Sequence, residues 1–207
     1  MGPRFETLLL SEMPVGDAYD LLTACVSPRP IGFISTISAQ GQPNLAPFSF
    51  FTVGGANPPS IVFSAVLNID GSMKETFKNV SDTGEFVVNT VHRDMMDGVG
   101  RAAVRASADT PKWERSGFGQ LASVQVRPPR VAESLVQLEC KVFQILEHGT
   151  GPGSARYVIG EVLVAHLSPD LLQHGKVSGD LVHSIARMGG KAYVDTAALE
   201  LFEPEAL

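Results

Sequence analysis

Apolar and β-branched positions in this chain gather into short runs separated by turn-forming residues. Ile31–Ser38 predicts a strand, Ala39-Gln40-Gly41-Gln42 a polar turn, and Asn44–Phe51 the returning strand of a hairpin. Pro47, in the middle of the second run, has no amide to give to a ladder. That strand is therefore expected at a sheet edge or a bulge, where backbone groups stay available to a ligand. After the Asn57-Pro58-Pro59 breaker, Ser60–Leu67 predicts a third strand, and Glu85–Val91 predicts another. Farther on, Val136, Leu138, Cys140 and Val142 alternate with Gln137, Glu139 and Lys141, the pattern of a strand with one face in water. The Gly149–Gly153 loop turns it back into a partner, Tyr157–Leu167.

Helical patterns are few. Asp17–Leu22 predicts a short helix that stops before Pro28-Arg29-Pro30. Ser72–Asp82 predicts another, with Ser72 and Glu75 spaced as a capping box and Gly84 placed as the stop. His92–Val104 has helical spacing weakened by Gly98 and Gly100, and Asp109–Gly119 predicts a loop with one helical turn. A last short helix is expected from Asp180 to Gly189-Gly190, between an extended arm at residues 1–14 and an acidic tail at 194–207. Strand following strand with few crossover helices favours an antiparallel barrel over a parallel βαβ sheet.

At 207 residues the chain suits one domain, 1–207, and its 44% hydrophobic and 18% charged residues are those of a globular protein. A net charge of -6 without a basic cluster argues against nucleic acid as a partner. No stretch reaches the roughly 20 apolar residues of a membrane helix, and no basic segment precedes an apolar core as in a signal peptide. A cytoplasmic protein that uses no membrane is expected. Cys25 and Cys140 are far apart, without CxxC spacing, and read as small buried apolar residues. The five histidines show no ligand spacing, so no metal site is expected. There is also no Gly-x-Ser-x-Gly nucleophile elbow.

Three segments carry candidate chemistry. Gly98–Ala103 spells the GxGxxA of a dinucleotide fingerprint, but residues that look helical separate it from the preceding strand, so it reads as part of a frayed helix. Lys74 and Thr76 stand in the first turn of a helix, where unpaired amides attract an anion. Alternatively, Ser72 and Glu75 cap each other and Lys74 is solvated. Asn44–Phe51 mixes amide, hydroxyl and aromatic groups around a proline, which suits a flat heteroaromatic ring or, equally, an ordinary core strand.

The ordered set of these segments resembles the flavin reductase-like, FMN-binding split-barrel family. The resemblance lies in Arg29–Thr36, Asn44–Phe51, Pro58–Ser64, Lys74–Asn79, Thr83–Asn89, Ile159–Val162 and Arg187–Tyr193, and so covers nearly the whole chain. It implies a mainly β fold with short helices, a six-stranded antiparallel Greek-key split barrel, and a homodimer with FMN near the subunit interface. It implies electron transfer from NADH or NADPH to flavin, with a partner monooxygenase in some members. By position, Asn44, Pro47, Phe48, Ser49 and Phe50 would line the ring and ribityl chain. Ser64, Lys74 and Thr76 would hold the phosphate, and Arg187 would approach from the C-terminal segment. Glu75 stands where many relatives carry aspartate. The cofactor supplies the redox chemistry, so no catalytic acid or base is expected. A flavin-bound electron carrier without NAD(P)H turnover and a pyridoxamine-phosphate-oxidase-like protein are the alternatives.

Overall fold

The computed structural model describes residues 4–104 and 110–200. In chain order, helix α1 (Val15–Cys25) leads to β1 (Arg29–Pro30), β2 (Gly32–Ile37), β3 (Pro43–Phe48), β4 (Phe51–Ala56) and β5 (Pro59–Ser64). Helix α2 (Glu75–Thr83), β6 (Glu85–Asn89), α3 (Met96–Ala103) and α4 (Lys112–Ser116) follow. Then come β7 (Gln120–Leu121), β8 (Arg130–Val131) and the long strands β9 (Val136–His148) and β10 (Ala155–Leu167). The short strands β11 (Leu172–Gln173), β12 (Lys176–Val177), β13 (Ile185–Arg187) and β14 (Tyr193–Asp195) complete the series. The start of the expected arm, Asp109 of the expected loop and the last seven residues of the tail lie outside the described residues.

The fold is mainly β with short helices, but the expected six-stranded barrel is a seven-stranded, unclosed sheet in the order β3-β2-β6-β9-β10-β5-β4. All its pairings are antiparallel. The difference arises because Asn44–Phe51 is not one strand. The chain bends at Ser49 and Phe50, leaving β3 at one edge of the sheet and starting β4 at the other. Pro47 thus lies on an edge strand, and its register with β2 runs from Gly32–Phe48 to Ile37–Pro43 without a bulge. Strand β4 nevertheless comes back against the start of β2, where a Cβ on Gly32 would lie 2.7 Å from the Phe51 ring. Only glycine lets β4 return so close to β2.

Strand β2 is buried on both faces, so Phe33 and Ile34 lie adjacent in sequence and the polar Ser35 and Thr36 are buried as well. On one side Ile34 joins Phe63, Phe77, Val80, Phe86 and Val158 in the interior of the curled sheet. On the other, Phe33 packs with Val91, Met95, Val99 and Trp113 beneath α3 and α4. Gly98, in the GxGxxA segment, belongs to α3 and packs against Phe118 and the Ser116 carbonyl, so that glycine serves helix packing.

Four further expectations change. Gln137 and Glu139, expected in water, are buried, because the segment before β8 folds over Glu139 while Arg130, Val131 and Ser134 bond Gln137. The Glu139 carboxylate accepts from the amides of Val124 (2.8 Å), Gln125 (2.6 Å) and Val126 (3.2 Å) and contacts the His166 ring at 2.7 Å. Burial pushes the Glu139 pKa up, but the two leading amides and His166 outweigh it and hold the carboxyl below its usual value. The expected helix toward Gly189-Gly190 is one 3-10 turn, Gly179–Leu181, followed by β13, which β1 and β14 pair on both sides. Cys25 is exposed at the end of α1, a helix with Thr23 as its buried residue. Cys140 is buried, and its thiol is pushed up to about 12 by burial and the neighbouring Glu139. The capping box at Ser72 is also absent, with consequences for the site. Among the described residues, no helix is long and apolar enough to cross a membrane.

Candidate functional site

Helix α2 begins one turn later than the sequence pattern indicates. Lys74 is its N-cap, and its side chain makes no capping hydrogen bond. Ser72 instead donates its hydroxyl and its amide to the Asp70 carboxylate. The amides of Glu75, Thr76 and Phe77 fall in the first turn, beyond the reach of the i−4 ladder, and carry the positive end of the helix dipole. The C-terminal stop is as expected, with Gly84 in the left-handed conformation at φ 69°. Lys74 Nζ donates to Asn68 Oδ1 at 3.0 Å, which orients the ammonium.

A cleft of about 430 Å³ opens between this helix tip and the edge strand β3. Ala46, Pro47 and Phe48 form one wall, and the chain bend adds Ser49 and Phe50. Tyr19 of α1 stands against Phe50, with ring centroids 5.8 Å apart. Ser64, Asn68, Lys74 and Glu75 line the polar end, and Ala102, Ala103 and Lys112 close it from α3 and α4. The Ser64 hydroxyl is buried and has no hydrogen-bond partner among the described residues. Such an unsatisfied group is costly unless a ligand or water completes it.

Of the predicted site residues, Pro47, Phe48, Ser49, Phe50, Ser64 and Lys74 meet in this cleft. Asn44 and Thr76 lie beneath it. Asn44 Nδ2 donates to Thr76 Oγ1 (2.9 Å) and Thr36 Oγ1 (3.3 Å), and Asn79 Nδ2 donates to the same Thr36 oxygen (3.0 Å). All four residues are buried, so Asn44 and Thr76 brace β3 against α2 rather than line the cleft with their side chains. Arg187 lies in a second cleft of about 220 Å³, which shares Tyr19, Pro47, Ser49 and Ala103 with the first. Its guanidinium donates to the Tyr193 hydroxyl and to the Gly190 carbonyl (2.6 Å) and sits 4.5 Å from the Tyr193 ring centroid. Arg29, buried beside it, donates to the carbonyls of Thr23, Val26 and Met188 and ties α1 to the C-terminal segment.

Sequence reasoning missed Tyr19, Asn68 and Lys112. Lys112 begins a short helix fixed by its neighbour Trp113, which is buried and donates to the Phe118 carbonyl at 3.0 Å. Its Nζ is 3.8 Å from Glu75 Oε2. Burial lowers the Lys112 pKa, Glu75 partly restores it, and Arg115 lowers it further. Nothing local to Pro111-Lys112 marks a ligand-facing lysine; the lone tryptophan was the available sign that this segment packs inward. The cleft thus joins a flat apolar wall to a cationic, amide-rich end, suited to a planar ring carrying an anionic tail.

Residues 25–184 match the family model described as flavin reductase like domain. The uncharacterized protein BH2278 of Halalkalibacterium halodurans is 35% identical over 177 residues, covering 84% of this chain and 85% of that protein. Nitrilotriacetate monooxygenase component B from Bacillus cereus has a similar structure, with TM-score 0.88 and 27% identity over 97% of this chain and 100% of the other. NbaA of Pseudomonas fluorescens, a 2-nitrobenzoate 2-nitroreductase, gives TM-score 0.85 and 26% identity over 98% of both chains. A Shewanella frigidimarina protein described as having a split barrel domain matches at TM-score 0.80 and 20% identity, over 98% and 100%, which shows the shared fold alone.

Proposed function

The chain belongs to the flavin reductase-like family, and on that premise we propose that it binds FMN in the first cleft and passes reducing equivalents from NADH or NADPH to it. The observation that carries this reading is the Ser64 hydroxyl, which has no partner among the described residues and is buried in the same cleft as the tip of α2 and Lys74. A phosphate there would satisfy the hydroxyl, accept the first-turn amides of α2 and pair with the lysine. The residues present therefore fit the group.

In this reading Ser64, Lys74 and the amides around Thr76 hold the phosphate. Pro47, Phe48, Phe50 and Tyr19 flank the ring, with Ser49 at its polar rim. Asn44 acts through Thr76, keeping the wall and the helix tip at a fixed separation. Bound FMN supplies the redox chemistry, taking up a hydride equivalent and passing electrons onward. The protein's tasks are orientation and exclusion of water, and no side chain is needed as a general acid or base. The second cleft, with Arg187, adjoins the first and gives the nicotinamide donor an approach to the ring. A homodimer, and delivery of reduced flavin to a separate monooxygenase, belong to the same proposal. The latter rests on likeness to the Bacillus cereus component B.

A second reading is reduction of a small aromatic acceptor at the bound flavin. The contiguous second cleft and the likeness to NbaA support it.

The visible absorbance spectrum of the purified protein, with and without added FMN, tests the binding. A yellow protein or saturable uptake is expected, and no binding at micromolar FMN sinks the proposal. Steady-state oxidation of NADH and NADPH then separates a reductase from a flavin carrier, which gives no turnover above background.

A further inference from the structure

The second cleft holds two guanidinium groups, and among the described residues no carboxylate pairs with either. Arg29 is 7% exposed, and its two terminal nitrogens donate to the carbonyls of Thr23, Val26 (2.7 Å) and Met188 (3.1 Å). Its Nε is buried and has no hydrogen-bond partner among the described residues. Arg187 is held in the same way, by the Tyr193 hydroxyl and the Gly190 carbonyl. Asp20 also lines the cleft but makes no ion pair with either arginine.

A guanidinium cannot give up its proton to escape burial, so a charge this far from water is costly until an anion approaches it. Neutral carbonyls occupy its donors and fix its position, yet they leave the positive charge uncancelled. Two arginines fixed by neutral acceptors therefore form a cationic edge already in place for an oxyanion. Ile31, Pro47 and Val99 supply apolar walls beside that edge. The volume, about 220 Å³ against about 430 Å³ for the first cleft, suits one substituted ring rather than a whole dinucleotide. A reduced nicotinamide ring is uncharged and leaves both arginines uncompensated; a ring bearing a carboxylate does not.

Resting on the flavin-binding reading for what lies next to it, we propose that the second cleft is a carboxylate site for small aromatic acids. The carboxylate faces Arg29 and Arg187, and the ring lies toward Pro47 and Ser49, which the two clefts share. Charge rather than ring shape decides which ligands enter. Such an acid and the nicotinamide donor exclude each other, because both need the same approach to the flavin.

Calorimetric titration of the FMN-loaded protein with benzoate, benzamide and ADP tests this. Benzoate is expected to bind, and benzamide, similar in shape but uncharged, to bind about tenfold or more weakly, the scale of a lost charge-assisted hydrogen bond. Arg187→Met and Arg29→Met are each expected to weaken benzoate by a similar factor and to leave benzamide within about twofold. In steady-state assays benzoate should raise the apparent KM for the nicotinamide donor with kcat unchanged. Equal affinity for benzoate and benzamide, or no binding of either at millimolar concentration, overturns the carboxylate site. Tighter binding of ADP than of benzoate assigns the arginines to a pyrophosphate and overturns it as well. These comparisons are made on the unmodified protein, so they decide the question even where an arginine variant does not fold. If the protein takes up no FMN the functional proposal fails, whereas selection of benzoate over benzamide by the flavin-free protein still upholds the carboxylate site.

Discussion

Asn44 Nδ2 donates to Thr76 Oγ1 at 2.9 Å, bonding the edge strand that walls the cleft to the helix turn at its polar end. The bond is buried, and the same Asn44 amide also donates to Thr36 Oγ1, which accepts from Asn79 as well. Asn44→Ala is therefore expected to leave partners unsatisfied and lower unfolding free energy in urea by about 1–3 kcal/mol. The FMN dissociation constant should rise as well, because wall and helix tip lose their tie. A variant as stable as the parent with undiminished flavin affinity would remove Asn44 from this bracing role.

Lys74 is the N-cap of α2, and Asn68 orients its ammonium. Lys74→Ala is expected to weaken FMN binding by about 1–3 kcal/mol, the scale of a charge-assisted hydrogen bond. Isothermal titration checks this directly. An unchanged dissociation constant takes Lys74 out of the site.

Arg187 faces the adjoining cleft and is fixed by Tyr193 and Gly190. Arg187→Ala is expected to raise the KM for the nicotinamide donor severalfold while FMN affinity stays unchanged. Steady-state kinetics beside a flavin titration separates the two effects. A large loss of FMN affinity with an unaltered KM would move Arg187 into the flavin site.

Glu139 links stability to pH. Its carboxyl titrates below the usual range in the folded protein because the amides of Val124 and Gln125 and the His166 ring outweigh its desolvation. A depressed carboxyl contributes stability that is fully present above the unfolded value, about 4.3, and is lost as pH falls through the lower folded value. Glu139→Gln is expected to cost about 1.5–3 kcal/mol at pH 7, the worth of a hydrogen bond to a charged group. The gap between parent and variant should narrow below about pH 4. Urea melts across pH 3–7 measure it, and a gap that widens on acidification contradicts the assignment.

Gly98 tests the packing of α3 on the segment that carries Lys112. A Cβ there would overlap the Phe118 ring and lie 2.8 Å from the Ser116 carbonyl oxygen, which is backbone and yields little. Gly98→Ala is expected to destabilise by about 1–3 kcal/mol despite alanine's better helix propensity. A rise in melting temperature would show that propensity wins over the contact.

Local chemistry made much of the architecture legible. The β2–β3 hairpin, Pro47 on an edge, the long β9–β10 pair and the stop at Gly84 each follow from what neighbouring residues can do with their own backbone. The residues gathered around Pro47 and the lysine at position 74 were likewise readable as candidate ligand contacts, because each stands near a break in regular structure; Ser64 was reached only through the family resemblance.

What sequence could not supply was separation in space. The bend at Ser49 and Phe50 splits one apolar run into opposite edges of a sheet, since Gly32 leaves room only for a distant ring, that of Phe51. Glu139 alternates like a solvent-facing residue and is buried because a remote segment lays its amides over it. Lys112 and Tyr19 reach the cleft from elements far along the chain. Sequence by itself determined which residues could form strands and stops, because those preferences are settled within a few bonds. Tertiary structure decided which of them share a cleft, because desolvation and charge pairing depend on neighbours that only the completed packing brings together.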